Sequence, residues 1–346
     1  MKNFRANWGQ GGTLKDTRLY ISHNSALYFW RTNPPQYVLE GADRDIRVLR
    51  CCPTTAQDIK AFALSEAEFG PHPIDALVPP EAPRPRSILR YHIQKAQLPR
   101  HSLYPLRDGI HVASPELCFV QLCKSLSFAK AAELGMELCG TYASREEMAD
   151  DGAKRDYQLA KASSLQRKTN AWQELHGLRL ARRVSPYLAN GAASPMETVT
   201  YLLLCLPQQY GGYNLPKPEL NPELKLDREE QFLLRTTSVK PDLLWRKRGF
   251  IIEYDGEYHD DPAQAAHDNK RRIVLETLGY HVETLKKQDV FDPIAFDGFA
   301  TMVAKRLGKR IRPLSLKQQY AREELRESLL VPLRNKRTPR GSTWDD

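Results

Sequence analysis

Four acids stand at spacings that could assemble a hydrolytic site. Asp242 follows Lys240–Pro241, Glu253 and Asp255 flank Tyr254, and Glu197 lies three residues after Ser194. The stretch around the first three alternates apolar and charged segments. Leu243–Trp245 is apolar, Arg246–Gly249 is a charged run ending in glycine, and Phe250–Tyr254 is apolar again. That order predicts a β-hairpin. A turn centred between Lys247 and Arg248 sets Asp242 opposite Glu253 on one face, with Cβ atoms about 4.5–5.5 Å apart. Asp255 shares the face of Glu253 because side chains alternate along a strand, and Lys240 then opposes Asp255. A bulge in the turn would shift the register by one residue and undo this pairing.

Two carboxylates that close repel each other unless a cation or a proton sits between them. A hard divalent ion with oxygen ligands, Mg²⁺ or Mn²⁺, is the natural occupant, held by Asp242 and Glu253. Such an ion polarises a phosphate, acidifies a bound water and stabilises a leaving oxygen, which suits phosphodiester hydrolysis. The competing reading is a surface hairpin whose acids are solvated or paired with arginines. Glu197 also has two readings. Ser194-x-x-Glu197 is a capping box at the start of an apolar helix; alternatively, Glu197 is an acid that leans over the same site.

The elements around these residues can be placed from pattern. Ser194–Pro195 opens an apolar helix running through Leu206. After the hairpin, a helix is predicted from Ala263 to Leu278 with Gly279 as its stop, then a strand over Tyr280–Leu285 and a helix over Gln288–Leu307. Asp268 and Arg272 stand at i and i+4 on the first of these helices. The first 147 residues read as a smaller mixed α/β domain. It has a helix over Ser22–Arg31 and strands over Asp45–Leu49, Ile74–Val78 and Ser87–Ile93. A turn at Arg107–Gly109 and a helix opened by Ser114–Pro115 follow. Residues 148–190 read as a basic helical connector of one or two helices. Residues 191–310 are the candidate catalytic domain, and residues 311–346 a basic tail with one helix over Gln318–Leu330.

Composition bounds the rest. The 346 residues carry a net charge of +9 and 41% hydrophobic residues, as in an ordinary globular protein. The basic excess is concentrated: Lys305–Asp346 holds 12 Lys/Arg against 5 Asp/Glu, and Lys154–Arg183 holds 8 against 2. Two such segments are expected if they meet a polyanion such as nucleic acid; solvated helical faces are the alternative. No apolar run approaches the length of a membrane span, and no apolar segment follows the first lysine, so a cytoplasmic, membrane-free protein is expected. The six cysteines lack metal-ligand spacing, and most of them read as reduced core thiols.

The string KPDLLW…IIEYDGEYH…HDNKRRIVLETLGYHVETL resembles the PD-(D/E)xK nuclease superfamily. Within it, the likeness is to small endonuclease domains related to the very-short-patch repair endonuclease. It covers residues 194–309, about a third of the chain. The resemblance implies a restriction-endonuclease-like mixed sheet flanked by helices. It also implies Asp242 and Glu253 as metal ligands, with Glu197 as a helix acid of the same site. Asp255 stands where the superfamily usually has lysine. His259 would be a general base, and Lys270, Arg271 or Arg272 would hold the phosphate together with Lys240. A loop histidine making an ordinary hydrogen bond is the plainer reading of His259.

The N-terminal strings YISHNSALYFWR and DGIHVASPELCFVQLCKSL…LGMELCGTY resemble antitoxins of type IV abortive-infection toxin–antitoxin systems. Together the two likenesses imply an Mg²⁺-dependent DNA endonuclease or nickase in phage defence or DNA repair. The alternative is a non-catalytic DNA-binding regulator that keeps a nuclease fold, with a cognate toxin or defence protein as a further partner.

Overall fold

The computed structural model describes residues 17–32, 48–107, 109–144, 153–256 and 262–335. It is mixed α/β and divides into two compact units, Met1–Lys124 with Trp172–Leu178, and Ser125–Ala171 with Arg179–Asp346. No described helix is long and apolar enough to cross a membrane.

The first unit is built on β1 (Leu19–Ile21), whose three residues are all buried. It leads directly into α1 (His23–Thr32). The short helices α2 (Ala56–Ala61) and α3 (Glu66–Phe69) precede β2 (Ile74–Val78) and β3 (Leu89–Ile93). Then come β4 (Leu103–Arg107), β5 (Ile110–Ala113) and α4 (Pro115–Leu122). The sheet order is β3-β2-β1-β5-β4. β1 runs parallel to β5 and antiparallel to β2, so the sheet is mixed. The turn between β4 and β5 uses Gly109 at φ 78, where a Cβ would lie 2.3 Å from the Thr17 carbonyl oxygen. Ser114 caps α4 by accepting the Leu117 amide, with Pro115 at the first helical position. The expected strand over Asp45–Leu49 falls mostly outside the described residues.

The second unit begins with α5 (Phe128–Cys139), the strand pair β6 (Tyr142–Ala143) and β7 (Ala153–Lys154), and α6 (Ala162–Ala171). After α7 (Leu178–Val184) comes α8 (Pro195–Cys205), in which all 11 residues are buried. Next are β8 (Glu219–Leu220), β9 (Leu224–Lys225), α9 (Arg228–Leu234) and β10 (Ser238–Val239). The hairpin strands are β11 (Leu243–Trp245) and β12 (Phe250–Asp255). They are followed by α10 (Pro262–Thr277), β13 (His281–Lys286), α11 (Lys287–Phe291), α12 (Pro293–Arg306) and α13 (Leu316–Asn335). The main sheet has the order β13-β12-β11-β8, with β12 parallel to β13 and the other neighbours antiparallel. One apolar cluster joins Leu244, Ile251 and Val282 of this sheet to Val274 and Leu275 of α10.

The unit boundaries differ from those read in sequence. Residues 125–147, assigned to the first domain, belong to the second unit because α5 packs on α8. Of the one or two helices expected over residues 148–190, the described residues hold two, α6 and α7; between them the chain adopts left-handed backbone at Glu174 and Gly177, which a helix does not accommodate. The predicted basic tail is also part of the fold. α13 packs on α5 and α8 and buries Leu325, Leu329, Leu330 and Leu333. The helix predicted over Gln288–Leu307 is split at Pro293, with Asp292 capping α12 through the amides of Ile294 and Ala295.

Candidate active site

The hairpin has the register that its turn predicts. Leu243 pairs with Ile252, Leu244 with Ile251 and Trp245 with Phe250. Arg246–Arg248 form one turn of 3₁₀ helix, and Gly249 closes it at φ 56. Asp242 lies one residue before the ladder. Its carboxylate Oδ2 accepts the Tyr254 amide at 2.7 Å, which ties it across to the strand carrying Glu253.

Glu197 comes to the same place from α8. Ser194 accepts the Glu197 amide at 3.1 Å, one half of a capping box. The other half is absent, because Glu197 Oε2 turns to the Ala193 amide at 2.8 Å and to the Asn221 side chain. Asn221, held left-handed at φ 47, also donates from Nδ2 to the Gly191 carbonyl at 3.1 Å and from its amide to the Asp242 carbonyl at 3.1 Å. It therefore bridges the helix acid to the strand acid. Sequence reasoning passed over Asn221; the only available signal was Asn221–Pro222, a turn-forming dipeptide.

Arg271 of α10 completes the cluster. Its Nη1 lies 3.1 Å from Glu253 Oε2, and its Nη2 donates to the Lys240 carbonyl at 2.6 Å. The other Glu253 oxygen, Oε1, is buried and has no hydrogen-bond partner among the described residues. The three acids act on one another electrostatically. Burial pushes the carboxyls of Glu197 and Glu253 up to about 8, and the charge of Asp242 adds to both shifts. Burial raises Asp242 as well, against the Tyr254 hydrogen bond and the charge of Arg271. These directions follow from holding like charges in a site partly cut off from water.

Other candidates carry exposed side chains. Asp255 is exposed at the end of β12. Lys240 is also exposed and does not oppose Asp255, because β10, just before it, pairs with β9 rather than with β12. Lys270 and Arg272 are exposed on α10, and Arg272 pairs with Glu276 at 2.9 Å. His259 lies outside the described residues.

The donor set is one of hard oxygens. Among the described residues, no group of three or more His, Cys, Asp or Glu side chains is arranged to hold a metal ion. Mg²⁺ requires less than that, since it is commonly held by one or two carboxylates plus waters and substrate phosphate. The unpartnered Glu253 Oε1, next to Asp242, fits that mode of binding. A cavity of about 1130 Å³ lies elsewhere in the unit, lined by Tyr213, Arg312, Arg322 and Arg326 among others and by none of the three acids.

Part of the basic excess is structural. Arg155 donates to the carbonyls of Glu137 and Gly140, Arg182 to that of Thr169, and Arg326 to that of Val290. Arg183 lies over the rings of Phe128 and Tyr210. Lys305, Lys309, Arg310 and Arg312 are exposed. The cysteines are free; five are buried and Cys51 is exposed. The chain matches no family model, no curated protein and no solved structure.

Proposed function

We propose that the second unit is a metal-dependent phosphodiesterase acting on DNA as an endonuclease or nickase, with a restriction-endonuclease-like core. The observation that carries this reading is the buried, unpartnered Glu253 Oε1 within a cluster of three mutually repelling carboxylates. A structural cluster would place a donor there, since an unpaired buried carboxylate oxygen is destabilising. Asp242 and Glu253 would hold the ion. When bound, it supplies charge to the scissile phosphate and an acidified water. Glu197, fixed by Ala193 and Asn221, accepts hydrogen bonds at the edge of the site. Arg271 supplies a fixed positive charge beside Glu253, in a region where the lysine usual two residues after the glutamate is replaced by Asp255. Exposed Lys240 and Lys270 extend that charge toward a nucleic-acid backbone.

A second reading is a non-catalytic DNA-binding regulator of antitoxin type. It is favoured by Arg271, which already answers one oxygen of Glu253 without a metal. One experiment separates the two. Full-length protein is incubated with supercoiled plasmid and Mg²⁺ or Mn²⁺, alongside Asp242→Ala and Glu253→Ala. The enzyme reading expects nicking that chelator and both substitutions abolish. Cleavage unchanged in both variants sinks the site assignment. No cleavage, together with a salt-sensitive mobility shift of DNA, selects the regulator.

A further inference from the structure

The cavity of about 1130 Å³ in the second unit lies between two helices and the segment that joins them. Along α12, Pro293, Asp297, Thr301 and Lys305 line it at successive turns of one helix face. Opposite them, α13 presents Arg322, Arg326 and Leu330, again one turn apart. The lining of α13 extends from Gln319 to Val331, about 18 Å along the helix axis. Residues 309–314, the joining segment, supply the third side. The space is therefore an elongated cleft, and its wall is mostly apolar, with Leu314, Leu330 and Val331 contributing.

Arg326 sets the charge of this cleft. It is 9% exposed, its Nη2 donates to the Val290 carbonyl at 2.7 Å, and its Nη1 is buried without a hydrogen-bond partner among the described residues. None of their carboxylates forms an ion pair with it. Arg322 differs. Its Nη1 lies 3.1 Å from Asp297 Oδ1, which also accepts the Tyr213 hydroxyl, and its guanidinium covers the Tyr213 ring at 3.7 Å. Buried charges are ordinarily paired, so Arg326 leaves one positive charge on an apolar wall that the fold does not answer. Lys305, Lys309, Arg310 and Arg312 line the same cleft, exposed and without ion pairs among the described residues. Against these cations stand Glu323 and Glu327, both exposed, and Asp297, already engaged by Arg322. The balance is positive, and such a cleft draws anions.

We propose that the cleft between α12 and α13 binds a small, elongated organic anion: a carboxylate or phosphate group on an apolar chain. The anionic group answers Arg326, and the exposed cations of the joining segment steer it in. The apolar chain lies along Leu314, Leu330 and Val331. Ligand cavities are commonly about 300–1000 Å³ and mostly apolar with a few polar groups, and this one is of that kind. A single-stranded polynucleotide is the competing occupant, but its charge at every residue matches a mostly apolar wall poorly. None of the three acids of the candidate active site lines the cleft, so the nuclease reading stands or falls separately.

The test is calorimetric titration of the full-length protein with decanoate and, separately, decyl phosphate, which distinguishes the two head groups. Decanol lacks the charge and acetate lacks the chain, and both serve as controls. The proposal expects one molecule of decanoate or decyl phosphate per chain, bound more tightly than either control. Arg326→Gln should weaken that binding about tenfold, as for a lost hydrogen bond to a charged group. Because Arg326 also holds Val290, a second variant guards against misfolding. Val331 is 45% exposed, so Val331→Glu should fold and melt like the parent while placing an acid on the wall. It should abolish binding. No saturable heat up to millimolar decanoate and decyl phosphate overturns the proposal. So does decanol or acetate binding as tightly, or binding undiminished in Val331→Glu. Displacement of the bound amphiphile by lower concentrations of a thymidine oligonucleotide also overturns it and gives the cleft to nucleic acid.

Discussion

The guanidinium of Arg271 lies 3.1 Å from Glu253 Oε2, while Oε1 of the same carboxylate is buried without a partner among the described residues. One acid is therefore only half answered. The pair joins α10 to β12 and sets the charge balance of the cluster. Arg271→Ala removes the counter-charge and leaves Glu253 facing Asp242 and Glu197 alone. We expect a loss of about 1–3 kcal/mol, the cost of leaving a buried polar group unsatisfied. Adding Glu253→Gln should restore part of it. Urea denaturation of the two single variants and the double variant gives the coupling directly.

Stability should depend on pH in a direction opposite to that of most acids. Glu197 and Glu253 are raised in the folded protein to about 8, above the ordinary value of 4.5. Between those values the folded state binds more protons than the unfolded chain, so unfolding free energy falls as pH rises. The contribution is fully present below about 4.5 and lost as pH passes 8. In chelator-treated buffer the melting temperature should decline from pH 5 to pH 8.5, less steeply in Glu253→Gln. A profile that is flat or rising and identical in the variant would contradict the buried placement of these acids.

Metal binding should follow the cluster and not the exposed end of the strand. Asp255→Ala should leave Mn²⁺ affinity measured by calorimetry unchanged and alter stability by no more than about 0.5 kcal/mol, as for an exposed site. Asp242→Ala should abolish Mn²⁺ binding. Equal loss in both variants would move the ion out to Asp255.

The C-terminal helix should behave as core. Leu329 of α13 is fully buried, so Leu329→Ala is expected to cost about 2–5 kcal/mol. Removing residues from 314 onward should lower the thermal stability of the second unit. If the truncated protein melts like the full chain, the helix is an appendage.

Local patterns made much of the candidate site legible. The turn Arg246–Gly249 has its register written into the sequence, because a short loop with a terminal glycine leaves few ways to align the flanking apolar runs. Asp242 was thereby placed beside the strand of Glu253 before any tertiary contact was known. Ser114–Pro115 and Ser194–Pro195 marked helix starts for the same reason: a capping side chain acts on amides two or three residues away. The expected cross-strand opposition of Lys240 and Asp255 does not form. It requires the ladder to continue, and the chain before Asp242 leaves it so that β10 can pair with β9.

By itself, the sequence determined the mixed α/β class, the hairpin and its acids, and the capped helices. Each of these depends on neighbours within a few residues or on composition. Only the tertiary structure decided which distant groups meet. Glu197 could have been a plain cap, and becomes a member of the cluster because α8 is buried beside the hairpin and Asn221 bridges them. Arg271 stands out from Lys270 and Arg272 only through the rotation of α10 about its axis, which turns one residue in three toward Glu253. The basic tail became a packed helix because Leu325, Leu329 and Leu333 find α5 and α8 to cover them. Such meetings depend on burial across long sequence separations, where the free energy of covering apolar surface outweighs local preference.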